Sequence, residues 1–245
     1  MSVPPSGEMT ATPRVAVLSV SEDFWESISN SQADLADLSR ISTPQQLDDA
    51  VATAQDFDLV LVPHWRWLLP PTILAKWRCV GFHTSPLPKG RGGSPIQNQI
   101  VRGMYDSELC AFEMDEHMDA GDVLIREFVD LSSGSLAEIM DSLARQVGLM
   151  SRRIILESPK AAPQVGEPSV FGRRRPEESQ IPKSGLSTRQ LYDRIRMVDG
   201  LDYPRAFIDF GSWRLTFTEA KLTEDEDAVR ATVTWNFVDR GEANV

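Results

Sequence analysis

His83 follows the apolar run of Cys79, Val80 and Phe82, and precedes a loop, TSPLPKGRGGS, that carries Lys89 and Arg91. Pro95 then opens PIQNQI at the first-turn position of a helix, where proline is tolerated. Further along, MDEHMDAGDV places Asp115, Glu116, His117, Asp119 and Asp122 around one turn. A histidine at one strand end and a carboxylate at the next make a general acid/base pair, because imidazole titrates near neutrality and a carboxylate orients it. The glycines at 90, 92 and 93 let the loop backbone approach a ligand closely. Lys89 and Arg91 suit a phosphate on that ligand. Each residue also has a plainer use. His83 can pair with a backbone carbonyl, Asp119 can bond its own backbone in a turn, and the two cations can be solvated loop charges.

Strand, ligand-sized loop and helix start in that order describe a site at the carboxyl edge of an α/β sheet. Residues 15–20 (VAVLSV) and 58–62 (DLVLV) read as continuous apolar strands covered on both faces. Ser21 suits the N-cap of a helix to about residue 29, and residues 44–54 keep helical spacing through Leu47, Val51 and Ala54. Residues 31–45 otherwise give no clear pattern. Pro70 and Pro71 open another helix. Residues 107–114 read as a half-exposed strand and 122–131 as a further one. Ser135, with Glu138 three positions on, is a capping box for a long amphipathic helix whose apolar positions run from Ile139 to Ile155. Three prolines in residues 158–168 mark a linker. Beyond it come a short helix over 188–198 and three strands (FIDF, WRLTFTEA, ATVTWNFV) separated by polar turns.

The two chemistry-bearing fragments resemble the 10-formyltetrahydrofolate-dependent formyltransferases, a family acting on methionyl-tRNA, glycinamide ribonucleotide and amino sugars. The family pattern is Asn-any-His, Ser-Leu-Leu-Pro, Arg-Gly with a proline-opened helix, then Asp-any-Gly. His83, Ser85 to Pro88, Arg91 with Gly92, Pro95 to Gln97, and Asp119 to Gly121 all fall in register. Pro86 stands where the first leucine is usual. The resemblance implies an α/β fold with a Rossmann-like, mostly parallel sheet and a small C-terminal β-rich domain. It also implies His83 and Asp119 as catalytic residues, a folate pocket formed by Trp67, Leu68 and Leu69 with Asp115, Glu116, His117 and Met118, and acceptor contacts from Ser85, Lys89 and Arg91.

Formyl transfer moves a one-carbon acyl group from a folate amine to a primary amine, and an oxyanion must be stabilised on the way. In the family an asparagine two residues before the histidine helps hold that oxygen; here the position is Gly81. A lost donor of this kind costs about 10²–10³ in rate. Asn98, one turn into the helix facing the loop, is the first candidate to replace it and Gln97 the second. A backbone amide or His83 alone is another solution, and a catalytically impaired binding homologue is the remaining one.

At 245 residues and 41% hydrophobic content the chain can bury one α/β core and a small second domain. The expected division is a flexible N-terminus (1–14), a catalytic domain (15–158), a linker (159–168) and the β-rich domain (169–245). No apolar run approaches the roughly 18 residues of a membrane span, and the N-terminus lacks the pattern of a signal peptide. Two cysteines, each inside an expected buried strand, read as reduced core thiols of a cytoplasmic enzyme. No zinc-ligand spacing occurs, so no metal is expected. A net charge of −11 argues against nucleic acid as a partner, since such binding draws its affinity from Lys and Arg on phosphates. The acidic chain, the short C-terminal domain and the run Phe171 to Arg174, which resembles a segment of amino-sugar formyltransferases, point to a nucleotide-linked amino sugar as acceptor. A homodimer is compatible with all of this, as is a formyltransferase for another small amine.

Overall fold

The computed structural model describes residues 12–200 and 203–238, so the expected flexible N-terminus lies outside the described residues as far as residue 11. Six strands form one sheet: β1 (Arg14–Ser19), β2 (Asp37–Ile41), β3 (Leu59–His64), β4 (Cys79–Thr84), β6 (Asp106–Glu113) and β7 (Val123–Asp130), in the order β2-β1-β3-β4-β6-β7. The first four run parallel; β6 is antiparallel to both β4 and β7, so five of the six share one direction. A two-residue β5 (Arg91–Gly92) pairs outside this sheet with β8 (Val170–Phe171).

The continuous apolar runs follow from having two buried faces. Val15 and Val17 of β1 join a core cluster with Phe24 and Ile28 of α1 (Glu22–Gln32) and with Leu143, Val147 and Met150 of α5 (Leu136–Glu157). The alternate residues Ala16 and Leu18 join a second cluster with Leu47 of α2 (Pro44–Ala52) and Ile73 of α3 (Pro71–Lys76). Both faces therefore reject polar side chains, and no alternation survives in the sequence. The Ser135–Glu138 capping box starts α5 as expected. The strand over 107–114 is not half-exposed: of β6 only Asp106 is exposed, because β6 lies between β4 and β7 and its alternate residues join two core clusters. Both cysteines are free and buried, and burial pushes the Cys79 thiol up to about 12 and the Cys110 thiol up to about 11.

The C-terminal part comprises α6 (Thr188–Arg196) and a three-stranded antiparallel sheet, β11-β10-β9, of β9 (Ala206–Phe210), β10 (Trp213–Leu222) and β11 (Val229–Phe237). Ile181, Ile195, Met197, Val198 and Ala206 share the core cluster of β1 and α5. The junction also holds a buried ion pair. Asp193 and Arg196 are 3% and 1% exposed, with Arg196 Nε donating to Asp193 Oδ1 at 2.7 Å. The Arg196 guanidinium also donates to the carbonyls of Leu131, Ser133 and Gly134, and Tyr105 Oη donates to Asp193 Oδ2 at 2.5 Å. This network ties α6 to the turn before α5. Removing one partner of such a pair leaves the other charge buried and costs about 3–5 kcal/mol. Asp193→Ala is therefore expected to lower the unfolding free energy by that amount in urea titrations. A loss below about 1 kcal/mol, the range of exposed pairs, would contradict the buried-pair account.

Candidate active site

The site lies on one face of the sheet. Cys79, Gly81 and His83 alternate along β4 with Val80 and Phe82, and Cys79 packs with the α2–α3 cluster while Val80 packs with the α1–α5 cluster. On the Gly81–His83 side, Leu87 of the loop packs with Cys110 and Phe112 of β6 and with Val123 of β7.

His83 is 7% exposed. Its Nε2 lies 2.8 Å from the Gly90 carbonyl oxygen, and a carbonyl only accepts, so Nε2 carries a hydrogen. Ser85 Oγ donates to the same carbonyl at 3.1 Å and to that of Lys89 at 2.7 Å. The other ring nitrogen of His83, Nδ1, faces Asp119 Oδ2 at 3.5 Å. That carboxylate oxygen accepts the Gly92 backbone N–H at 2.8 Å. The loop thus places two of its own backbone groups against the two residues expected to do the chemistry.

Asp119 does not come from a neighbouring strand end at the same edge. The β6–β7 connection leaves the sheet beside the start of β4, where Met114 N donates to Cys79 O at 2.8 Å, and folds back until Asp119 meets His83. Folding back requires close packing. A Cβ on Gly121 would lie 1.7 Å from the Glu113 carbonyl oxygen, so only glycine fits there. Asp119 itself has φ of 52°, a left-handed conformation that asparagine and aspartate tolerate best.

The expected folate residues separate by exposure. Trp67 and Leu68 are exposed after β3, while Leu69 is buried in the second cluster. Trp65 meets Trp67 edge-on at 4.9 Å between ring centres. Asp115, Glu116, His117 and Met118 are all exposed on the β6–β7 connection, where His117 N donates to Asp115 Oδ1 at 2.7 Å. Among the expected acceptor contacts, Lys89 is exposed, and Arg91 Nη2 donates to Gln164 Oε1 at 2.7 Å.

Two expected site residues have other employment. Ser85 is fully buried and its hydroxyl shapes the loop from beneath, so it does not present a donor to an acceptor molecule. Asn98, on α4 (Pro95–Ile100), donates from Nδ2 to the carbonyls of Gly93, Ser94 and Gly172, while its Oδ1 accepts from Arg102. Its two amide hydrogens are consumed by three carbonyls, which rules it out as the replacement for the missing asparagine. It fastens the loop to the strand bearing Phe171. For Gln97, 4% exposed, no side-chain hydrogen bond is formed among the described residues. Sequence reasoning missed Phe112. It is the cross-strand partner of Gly81, and its ring covers that residue.

A Cβ on Gly81 would lie 2.7 Å from Phe112 Cζ and 3.1 Å from Met114 Cγ. The aromatic ring fills the volume an asparagine would need. Gly81→Asn alone is therefore expected to cost about 1–3 kcal/mol through overpacking. Adding Phe112→Leu, which removes both close ring carbons, is expected to recover part of that cost. Urea titrations of the two single variants and the double variant check this. Strictly additive losses would show that Phe112 does not occupy the side-chain volume at position 81.

Residues 11–148 match the family model described as formyl transferase, and residues 176–235 match the methionyl-tRNA formyltransferase C-terminal domain. The methionyl-tRNA formyltransferase of Rickettsia bellii is 36% identical over 176 residues, which is 70% of this chain and 57% of that protein. That of Campylobacter curvus is 26% identical over 77% of this chain and 63% of its own length. The chain thus spans about three-fifths of the curated relatives it matches. A methionyl-tRNA formyltransferase structure from Clostridium thermocellum superposes with a TM-score of 0.85 at 30% identity, covering 92% of this chain and 99% of that one. Two structures share the fold at lower identity. HypX from Aquifex aeolicus in complex with tetrahydrofolic acid gives TM-score 0.71 at 16%, over 88% of this chain and 39% of that one. A likely sugar N-formyltransferase from Mycobacterium tuberculosis gives 0.70 at 18%, over 84% and 97%. With a formyl transferase match over more than half its length, this chain belongs to the formyl transferase family.

Proposed function

We propose that the chain transfers a formyl group from 10-formyltetrahydrofolate to the primary amine of a nucleotide-linked amino sugar. The observation that carries the transfer is the 3.5 Å approach of His83 Nδ1 to Asp119 in a member of this family. In the reaction the amine nitrogen bonds to the formyl carbon, the bond from that carbon to the donor nitrogen breaks, a proton leaves the amine, and the departing folate nitrogen takes one up. With Nε2 anchored on Gly90 O, Nδ1 is the ring atom left to handle that proton. Asp119, fixed by the Gly92 N–H, orients the ring and offsets its charge. The exposed apolar side chains of Trp67, Leu68 and Met118 suit a flat pterin. The Trp65 indole N–H is buried without a hydrogen-bond partner among the described residues and is available to a ring heteroatom of that donor. Of the side-chain amides considered for the oxyanion, Gln97 is the one not consumed by the fold.

The acceptor assignment rests on charge. Arg102 lies over the Phe171 ring at 5.2 Å, the Arg174 N–H meets Ser94 Oγ at 3.1 Å, and Arg194 is close enough to Arg174 to feel its charge. Arg173 and Arg175 flank Arg174 in the chain, and although Glu178 lies 3.8 Å from the Arg174 guanidinium, the run is a local basic segment in a chain of net charge −11. That suits the phosphates of one small molecule and is modest beside the 6–10 phosphate contacts of a strong nucleic-acid binder. The second reading is methionyl-tRNA, favoured by the names of the relatives at 30% and 36% identity.

Release of tetrahydrofolate is to be followed with nucleotide-linked amino sugars and with methionyl-tRNA as acceptors. Turnover with a sugar is expected, and His83→Ala is expected to lower kcat by at least about 10²-fold. Turnover with methionyl-tRNA alone would move the assignment to the second reading. Folate binding without turnover on any acceptor would instead make the chain a binding homologue, the outcome that Phe112 over Gly81 would then explain.

A further inference from the structure

Asp119 reaches His83 from a connection that has folded back across the sheet, with its own backbone left-handed. Something must hold that turn, because a left-handed aspartate is about 1 kcal/mol or more above the ordinary conformations. The clamp comes from the segment between the two parts of the chain. Gln164 Nε2 donates to the carbonyl oxygens of Asp119 and Gly121, each at 2.9 Å. Its Oε1 accepts from Arg91 Nε at 3.2 Å and from Nη2 at 2.7 Å. One carboxamide therefore uses both hydrogens on the Asp119 turn and its oxygen on the loop that carries Gly90 and Gly92. The segment is itself pinned, since Ala162 and Val123 exchange backbone hydrogen bonds at 2.8 and 3.0 Å, and Ser169 Oγ accepts from Gly90 N at 2.9 Å.

We infer that Gln164 is a positioning residue: it aims the Asp119 carboxylate at His83 and at the Gly92 N–H, and locks that turn to the Arg91 loop. Arg91 is then half of this brace, with Nη1 left to meet an acceptor. The geometric part stands on the hydrogen bonds alone; the catalytic part rests on the formyl-transfer reading. A misplacement of about 1 Å costs about 10²-fold in rate when the group must meet a reacting atom.

The decisive variants are Gln164→Ala and Gln164→Glu. The second keeps an acceptor for Arg91 but cannot donate to the two carbonyls, so it separates the clamp from the brace. Amide hydrogen exchange at Gly92 reads the placement of Asp119 directly. The neighbouring amides of Arg91 and Gly93, which donate to Ser169 O and Phe171 O, serve as internal references. Both variants are expected to speed exchange at Gly92 by at least about tenfold relative to those neighbours, with the urea midpoint little changed. Where the wild-type protein turns over, kcat is expected to fall by about 10²-fold while KM for the folate donor stays within about threefold. Unchanged exchange at Gly92 in both variants would overturn the inference. So would equal acceleration at all three amides, which would mean general loosening. Absence of wild-type turnover would sink the formyl-transfer reading and leave the exchange result to decide on Gln164.

Discussion

The Gly90 carbonyl oxygen is the point on which the sheet-edge loop turns. It accepts from His83 Nε2 at 2.8 Å and shares the single Ser85 hydroxyl hydrogen, at 3.1 Å, with the Lys89 carbonyl oxygen at 2.7 Å, and both donors are buried. A carbonyl with two lone pairs is satisfied by this arrangement, and the histidine is fixed in one tautomeric sense by it. The consequence is directional. One ring nitrogen is committed to structure, so whatever proton chemistry occurs must use the other, which faces Asp119 at 3.5 Å. That distance is longer than a well-formed hydrogen bond, and a small movement of the β6–β7 connection would close it.

The C-terminal part takes part in the same construction. Its inner residues lie in the core cluster of the large sheet, and Asp193 with Arg196 closes the junction as a buried ion pair. The strand bearing Phe171 pairs with Arg91 and Gly92, and Asn98 reaches across to Gly172 O. The loop is therefore held from three sides: by the sheet below, by α4, and by the chain that returns after α5. Such multiple fastening is what lets a loop rich in glycine keep a defined backbone against a buried histidine.

Much of this was legible in the sequence, because runs such as VAVLSV and the Ser135–Glu138 capping box are local signals. The short strand Asp37–Ile41 was not, since it sits at the sheet edge with a partly exposed, polar composition that lacks the buried-strand pattern. At the site, the spacing of His83, the glycines and Asp119 identified the residues to inspect. It could not say how Asp119 arrives, because folding a connection back over a sheet is a tertiary event that the Gly121 carbonyl contact makes possible. Asn98 was a reasonable donor by type and helical position, and was excluded only by the three carbonyls that surround it. Gln164 and Phe112 left no local signal at all. One acts on a turn more than forty residues away, and the other is defined by which strand pairs with Gly81.

Gly81 and Phe112 bear on how much rate this fold can supply. A side-chain amide in a dry site acts on developing charge without reorganisation, and its loss is usually felt as about 10²–10³ in rate. At Gly81 the Phe112 ring stands where a side chain at that position would have to go. Position 81 is thereby lined by apolar atoms of Phe112 and Met114 and offers no side-chain donor of its own. In the proposed reaction, stabilisation of the oxyanion would then fall to backbone N–H groups or another side-chain amide rather than to position 81. The sheet face and the loop are built to hold His83 and Asp119 in place whether or not that third group is present. The hydrogen bonds that seat the His83 ring and the Asp119 carboxylate all come from the loop backbone, so the placement of the pair does not depend on a side chain at position 81.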